Sequence, residues 1–399
     1  MSACELIAIV IFNIVGVKIA YVPYIDEIQN ILTLVVGLFI LKNINIGCIK
    51  NFKKINIITI IFSIVVLISS LRNGGGYISP LSGVTFIIKF LVTIAFFEIV
   101  NYKNKAAEVI KVIFKVSTIY IILNDIFIFA FPNLYFTFNN QYFLGNKFEV
   151  MYFHLLYIVL YQIYINYFPK VFSFRIRNYK ISYKMMNNLI FIVMCILTIL
   201  ISKIVSCSTG LVGCIVVILL FFGKKIWEKL VNKIYFYIGC IAIFDSILLL
   251  FEQIINVPLI NSFITQVLNR DIEFTGRFAI YAQIGNLIGK NMFLGYGYGN
   301  TYFVIKSAMR WFPDAQNGVL QNIMNFGVIG MVLLHFCLYY IIKKSENINA
   351  YMLKMLVYTY IVLSSVEITF ELNYIWAVAM LLLFVPNKNN NYLVKFSRY

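Results

Sequence analysis

The residues best equipped for chemistry crowd into one stretch of this 399-residue chain. Between positions 253 and 316 lie Arg270, Arg277, Lys290, Lys306 and Arg310, set against Asp271, Glu273 and Asp314. The stretch ends Arg310-Trp311-Phe312-Pro313-Asp314-Ala315-Gln316-Asn317, which gathers a guanidinium, a carboxylate and two amides. Asp314 could simply cap the apolar run that follows, since a carboxylate accepts the first backbone N–H groups of a helix. Upstream, Gly295-Tyr296-Gly297-Tyr298-Gly299-Asn300 alternates glycines. Such a segment either lets backbone amides close on an anion or makes a turn. Its spacing is not the dinucleotide fingerprint. A third group precedes both: Lys203, then Ser206-Cys207-Ser208-Thr209-Gly210-Leu211 at the start of another apolar run.

Composition dictates what must position these residues. The chain is 61% hydrophobic and 12% charged, with mean hydropathy +0.87. Soluble domains carry about a quarter charged residues. The balance excludes a soluble enzyme, a disordered chain and a nucleic-acid-binding domain, and implies an all-α polytopic integral membrane protein. Apolar runs fall at about 3–20, 28–41, 55–71, 84–100, 109–131, 150–168, 188–202, 210–223, 234–252, 317–342, 351–366 and 372–386, about 12 transmembrane helices in a single domain over 1–399. The first run has no basic leader before it and reads as a retained span.

Net charge is +17, and its placement sets orientation. Alternate gaps between the runs hold 22 of the 33 Lys and Arg, the intervening gaps nine, and Lys89 and Lys115 fall inside runs. The positive-inside rule then puts both termini in the cytoplasm and 253–316 outside, as a long extracytoplasmic loop between spans 9 and 10. Loops of that length in compact bundles carry function. Within it, Thr275 can cap a helix starting at Arg277. Ile280, Tyr281, Ile284, Leu287 and Ile288 fall on one stripe, with Gln283, Asn286 and Lys290 on another. That is an amphipathic helix too short and polar to span, lying at the membrane surface or over the bundle.

No internal repeat is visible, and paired broken helices of the transporter kind are not evident. The seven cysteines are scattered without a CxxC pair and read as buried apolar residues, giving no metal site. His154 lies at the outer end of the sixth run, within reach of an outer cavity. His335 lies deep in the tenth and reads as a packed, hydrogen-bonded residue. Glu367 and Glu371 fall at the last outer hairpin, either functional or solvated. Asp125 and Lys89 lie inside runs and could neutralise each other as an ion pair.

In this order, Thr275-Gly276-Arg277, an interfacial helix, the Gly295–Asn300 turn, Asp314–Asn317 and Gly327-Val328-Ile329-Gly330, preceded by Ser206–Leu211, the sequence resembles the O-antigen polymerase and O-antigen ligase group, the Wzy-type membrane glycosyltransferases. The motifs cover about residues 200–335, and the rest agrees in topology. The resemblance implies a GT-C-like bundle in the bacterial cytoplasmic membrane. Its activity would be metal-independent, cofactor-free and inverting, with the active site facing outside. It would join undecaprenyl-diphosphate-linked oligosaccharide repeat units into capsule, O-antigen or exopolysaccharide. Membrane lipid, a chain-length regulator and a flippase are the implied partners, and nucleic acid is not one. The departing diphosphate needs cations where its charge grows, and a planar guanidinium binds phosphate bidentately. Arg277 and Arg310 are therefore the expected catalytic cations, with Lys203, Ser208, Thr209 and Arg270 as further substrate-binding donors. Relatives place a His-Asn pair where this chain has Gln316 and Asn317. Glutamine cannot take a proton, so the base falls to Asp314, and Gln316 and Asn317 are left as substrate-binding amides.

Two other functions fit the composition. A flippase or transporter of the lipid-linked glycan would carry its polar groups through the midplane, whereas this chain concentrates them in one segment. An O-antigen ligase-type transferase would share the motifs. A membrane acyltransferase would need a relay histidine with arginines on an early run, and none is present.

Overall fold

The computed structural model describes residues 2–17, 19–20, 22, 24–73, 80–133, 135, 140–169, 175–176, 179–180, 183–247, 258, 262, 265–266, 277–309 and 314–386. Among these, the chain is helical apart from a short β-ladder, β1 (Arg175–Ile176) with β2 (Tyr179–Lys180), and one isolated bridge between Tyr142 and Gly145. In chain order the helices are α1 (Ala3–Ile11, continued by a π-turn Phe12–Gly16), α2 (Ile25–Asn43), α3 (Ile46–Asn51), α4 (Lys53–Arg72), α5 (Leu81–Tyr102), α6 (Ala106–Ala130), α7 (Lys147–Tyr167), α8 (Tyr183–Ile204), α9 (Ser208–Phe222), α10 (Lys224–Leu230), α11 (Ile234–Ile247), α12 (Arg277–Lys290), α13 (Thr301–Ala308), α14 (Gly318–Lys344), α15 (Ile348–Leu363) and α16 (Leu372–Met380, continued by a 3₁₀ turn Leu381–Phe384).

Each of the twelve apolar runs coincides with a helix. Six of these, α4 to α8 and α14, are long and apolar enough to cross a membrane. α9 and α10 would make a seventh together, but a 95° bend at Gly223 separates them. Along α4, α6 and α8, isoleucines and leucines such as Ile60, Ile64, Ile122, Ile126, Ile196 and Leu200 stand exposed. Exposed apolar faces of that extent are solvated by lipid, not water. This is the architecture of a polytopic membrane protein.

The interior is built around α7, α15 and α16, whose side chains are buried on nearly all faces. Buried hydroxyls survive there by bonding back one turn: Thr59 donates to the Ile55 carbonyl, Thr93 to Lys89 and Thr359 to Met355. Helix starts are fixed locally. Asn146 caps α7, accepting from Phe148 and Glu149, while the Glu149 carboxylate accepts from the Asn146 N–H at 2.7 Å. Asn347 caps α15 by accepting from the N–H groups of Asn349 and Ala350.

The ends of the helices differ in charge. Lys42, Lys53, Lys54, Lys103, Lys105, Lys224, Lys225, Lys343 and Lys344 mark one end of the bundle. At that end the Glu346 N–H donates to the Phe384 carbonyl, and the Asn101 amide bridges the carbonyls of Leu382 and Val385. α16 and its 3₁₀ turn run back from there for 13 residues, roughly 20 Å, whereas the 21 residues of α7 cover about 31 Å. α16 therefore stops well short of the other end, and the non-helical stretch 364–371 completes the traverse. Irregular backbone at such depth is tolerated where it is buried in protein or lines a cavity.

α14 carries a non-helical residue, Gly327 (φ 70, ψ 177), in its middle, one break without a matching partner in that helix. One expectation is corrected here. The ion pair between Asp125 and Lys89 does not form. His154 Nε2 of α7 lies 3.2 Å from Asp125 Oδ1 of α6, a close contact off the axis of a hydrogen bond. The carboxylate whose charge acts on Lys89 is Asp26 of α2.

Candidate functional site

At the end of the bundle opposite the lysines, three stretches distant in sequence close around a cavity of about 200 Å³. The start of α7 contributes Asn146, Phe148, Glu149 and Tyr152. The turn before α14 contributes Asp314 and Gln316. The end of α15 and the irregular stretch before α16 contribute Tyr360, Glu367, Ile368, Thr369, Glu371 and Asn373. Four carboxylates thus face one space, together with three amides and two phenols.

The α14 entry shows how the sequence builds this wall. Asp314 does not cap the helix. Its Oδ1 accepts the backbone N–H of Gln316 at 2.9 Å and the side-chain Nε2 at 2.6 Å, folding a turn that puts Gln316 at φ 49. Asn317 is the cap, accepting from Leu320 N–H at 2.8 Å. The turn is pinned to the end of α15: Gly318 N–H donates to the Ser364 carbonyl and the Asn317 amide to that of Ser365. A Cβ at Gly318 would sit 2.9 Å from atoms of Phe370 and Ser364, so this close approach requires glycine.

The α9 motif arrives from the opposite side. Ser206 turns the chain at φ 53, and Ser202 closes the turn by donating to the Cys207 carbonyl at 2.5 Å. Ser208 then opens α9, and the Thr209 hydroxyl donates to Glu367 Oε1 at 3.5 Å. Glu367 is 6% exposed, and its backbone N–H is held by the Leu363 carbonyl. Thr369 donates to the Tyr360 carbonyl at 2.7 Å, and Tyr360 OH to that of Tyr152 at 3.3 Å, so the irregular stretch is tied down on both sides.

The glycine-rich segment has a different task from anion binding. Its Tyr296 and Gly297 amides donate to the carbonyls of Met324 and Asn325, while Val328 and Ile329 donate to Met292 and Phe293. The loop therefore supplies the hydrogen bonds that α14 loses at its Gly327 break. Ser69 and Asn73 of α4 hold the loop by donating to the Leu294 and Gly295 carbonyls, and Ser82 of α5 donates to Tyr298. Burial, and after it the Glu371 carboxylate, push the Tyr298 phenol up, which sets this loop within electrostatic reach of the cavity.

α12 carries the stripe expected of it. Ile280, Ile284 and Leu287 are buried in a small separate core with Ile305, Met309, Ala315 and Met324, and Gln283 and Asn286 are exposed. Tyr281 OH donates to the Gln316 carbonyl at 3.1 Å, linking this helix to the cavity wall.

Of the residues singled out from sequence, Asp314 and Gln316 line this cavity, and Thr209 reaches it through its bond to Glu367, whereas Asn317 and Ser208 are not among the lining residues. Lys203 ends α8 with its side chain exposed and is likewise not among the lining residues. Arg277 opens α12, but its side chain lies outside the described residues, as do Arg270 and Arg310. His154, 1% exposed, faces Asp125 between helices and not the cavity. His335 is packed against Tyr237, whose hydroxyl lies 2.9 Å from Nδ1, and against the Phe370 ring. Among the described residues no group of acidic, histidine or cysteine side chains could hold a metal ion. Sequence reasoning did not place Asn146, Glu149, Tyr152, Tyr360 or Asn373 in a site. Glu149 closes the capping box of α7, and its meeting with the other carboxylates depends on packing between distant helices.

No family model matches the chain, and no curated protein matches it.

Proposed function

We propose that this chain is a membrane glycosyltransferase, a polysaccharide polymerase joining undecaprenyl-diphosphate-linked repeat units at the outer face of the bacterial cytoplasmic membrane. The lysine-rich ends of the helices mark the cytoplasmic side, so the cavity faces outward. In this reading all twelve helical runs belong to a GT-C-like bundle with both termini inside. One observation supports it above the others: Thr209 and the Asp314–Gln316 turn, from two motifs behind the resemblance about a hundred residues apart, meet at one polar cavity, Asp314 and Gln316 lining it and Thr209 bonded to its Glu367.

The chemistry follows from the groups present. An acceptor sugar hydroxyl attacks the anomeric carbon of the donor, its proton passes to a carboxylate, and the anomeric C–O bond to the diphosphate breaks. Glu367 is the carboxylate most withdrawn from solvent, and Thr209 holds its Oε1. Asp314 is fixed by Gln316 and orients the wall. Arg277 and Arg310, close in sequence to that wall, meet the departing undecaprenyl diphosphate. In cells lacking the chain, single repeat units should remain on the lipid carrier at the outer face. Accumulation of long lipid-linked polymer would instead identify a ligase.

A second reading has one observation in its favour. The break at Gly327 and the shortened α16 are discontinuities of the kind that transporters place around their substrates. A flippase of the same lipid-linked glycan would trap repeat units on the inner face when deleted, and that location separates the two readings.

A further inference from the structure

We propose that the seam between α4 and α14 is a docking surface for one anionic phospholipid of the leaflet at the cavity end, its phosphate held between Arg72 and Lys290 and an acyl chain lying along the seam below. The surface is separate from the cavity, and the proposal stands whatever the cavity accepts. The two helices meet closely: Cys337 Sγ lies 3.4 Å from Thr59 Oγ1, and a Cβ built on Gly330 would lie 3.6 Å from Val65 Cγ1. That approach sets two exposed apolar stripes side by side, Ile329, Val332 and Phe336 on α14 and Ile64, Ile68 and Leu71 on α4. From Thr59 to Leu71, α4 rises about 18 Å. A hydrocarbon layer is about 30 Å thick, so the seam has roughly the length of one leaflet.

The glycine-rich loop closes the top of the seam. Met292 and Phe293 stand exposed there, Phe293 to 67%, and the Phe293 carbonyl accepts the Ile329 N–H at 3.3 Å, which puts this apolar pair directly above the α14 stripe. Arg72 is the last residue of α4 and Lys290 the last of α12, and both are exposed. One link brings them together: the Gly295 N–H donates to the Asn291 carbonyl at 2.8 Å, and the Gly295 carbonyl accepts from the Asn73 amide at 3.1 Å. Lys290 precedes Asn291 and Arg72 precedes Asn73, so each cation stands next to one end of that link. Neither has an ion-pair partner among the described residues. The lysines that set orientation gather at the opposite end of the bundle, so they do not account for this pair. Long basic side chains at a helix end lay their stems over apolar surface and carry the charge to the headgroup level. A lipid with net negative charge places one anion there. A zwitterionic headgroup brings with it an ammonium group that meets its own sign.

The test uses the full chain, delipidated in detergent and titrated with phosphatidylglycerol or phosphatidylcholine of the same acyl chains, with bound lipids counted by native mass spectrometry. One phosphatidylglycerol should bind about tenfold more tightly than phosphatidylcholine. The Arg72→Gln, Lys290→Gln double variant should lose that preference, and the Lys343→Gln, Lys344→Gln variant, altered at the opposite end, should keep it. Should the first variant not fold, Lys290→Gln alone, at an exposed position, should weaken phosphatidylglycerol about fivefold. Dihexanoyl phosphatidylglycerol, which keeps the headgroup and lacks the long chains, should bind much more weakly than the long-chain lipid. Equal affinity for the two headgroups overturns the proposal, as does a preference that disappears with Lys343 and Lys344 and survives the loss of Arg72 and Lys290. Equal binding of the dihexanoyl and long-chain lipids removes the seam from it. Displacement of phosphatidylglycerol by undecaprenyl phosphate at equal concentration overturns it too, and gives the seam to the isoprenoid carrier.

Discussion

Gly295 and Gly327 meet backbone to backbone: a Cβ built on Gly295 would lie 2.5 Å from the Gly327 nitrogen. One built on Gly327 would lie 2.1 Å from the Phe293 carbonyl oxygen, and both residues have positive φ. The break in α14 and the loop that bridges it are thus one structure. Gly327→Ala should cost about 1–3 kcal/mol from backbone strain alone, with the clash in addition. Gly285 lies within α12 with open space around its missing Cβ, so Gly285→Ala should stabilise by about 0.4–1 kcal/mol. Thermal unfolding of the two variants in detergent should move in opposite directions.

Glu367→Gln keeps the shape of the side chain and its bond with Thr209 but cannot take a proton. Losing a general base lowers turnover by roughly 10²–10⁴. Polymer length and repeat-unit consumption should both collapse while membrane insertion is unchanged. Thr209→Val removes only a positioning hydroxyl and should cost less. If Glu367→Gln polymerises normally and Asp314→Asn does not, the base is Asp314.

Arg277 answers a separate question, the handling of diphosphate. Arg277→Ala should abolish polymer without loss of protein from the membrane. Arg277→Lys should recover only part of it, because an ammonium group presents no bidentate fork. Normal chain length in Arg277→Ala would take this residue out of the mechanism. The same pair of substitutions at Arg310 gives an independent reading of the second guanidinium.

Sidedness is open to direct chemical labelling. Six of the seven cysteines are buried and Cys240 is half-buried, so the native thiols give a low background. Lys203→Cys, exposed at the cavity end of α8, should react with an impermeant maleimide on intact spheroplasts. Lys225→Cys, exposed on α10, should react only after lysis. The reverse pattern would turn the protein over and end the proposal of an outward-facing site.

Local physics made most of the framework legible. Hydropathy located a helix in each of its twelve apolar runs, and 3.6-residue spacing identified the buried stripe Ile280, Ile284 and Leu287 of α12. The site was only half visible. Asp314, Gln316 and Thr209 stand beside recognisable turn and cap signals, so they could be named. Glu149 carried no signal of a site, and for Glu367 and Glu371 a functional and a solvated place stood equally open. Their meeting depends on how deep the chain dips before α16, and that is set by packing between helices far apart in sequence. The glycine-rich segment left its two readings open for a related reason. Positive φ at Gly295, Gly297 and Gly299 is required whether the amides face an anion or a broken helix, and the carbonyls of Met324 and Asn325 decide between them.

The short α16 has an electrical consequence. Leu372 to Phe384 cover roughly 20 Å of a hydrocarbon layer about 30 Å thick, so water entering the cavity reaches below the surface of the bilayer at this point. The transmembrane voltage falls across what is left, and it is worth about 2.3 kcal/mol per elementary charge for every 100 mV. On the reading proposed above, an ionised group seated beside Glu371 would stand part of the way down that drop. Its occupancy would then respond to the energised state of the cell, and collapse of the membrane potential would change how firmly it is held.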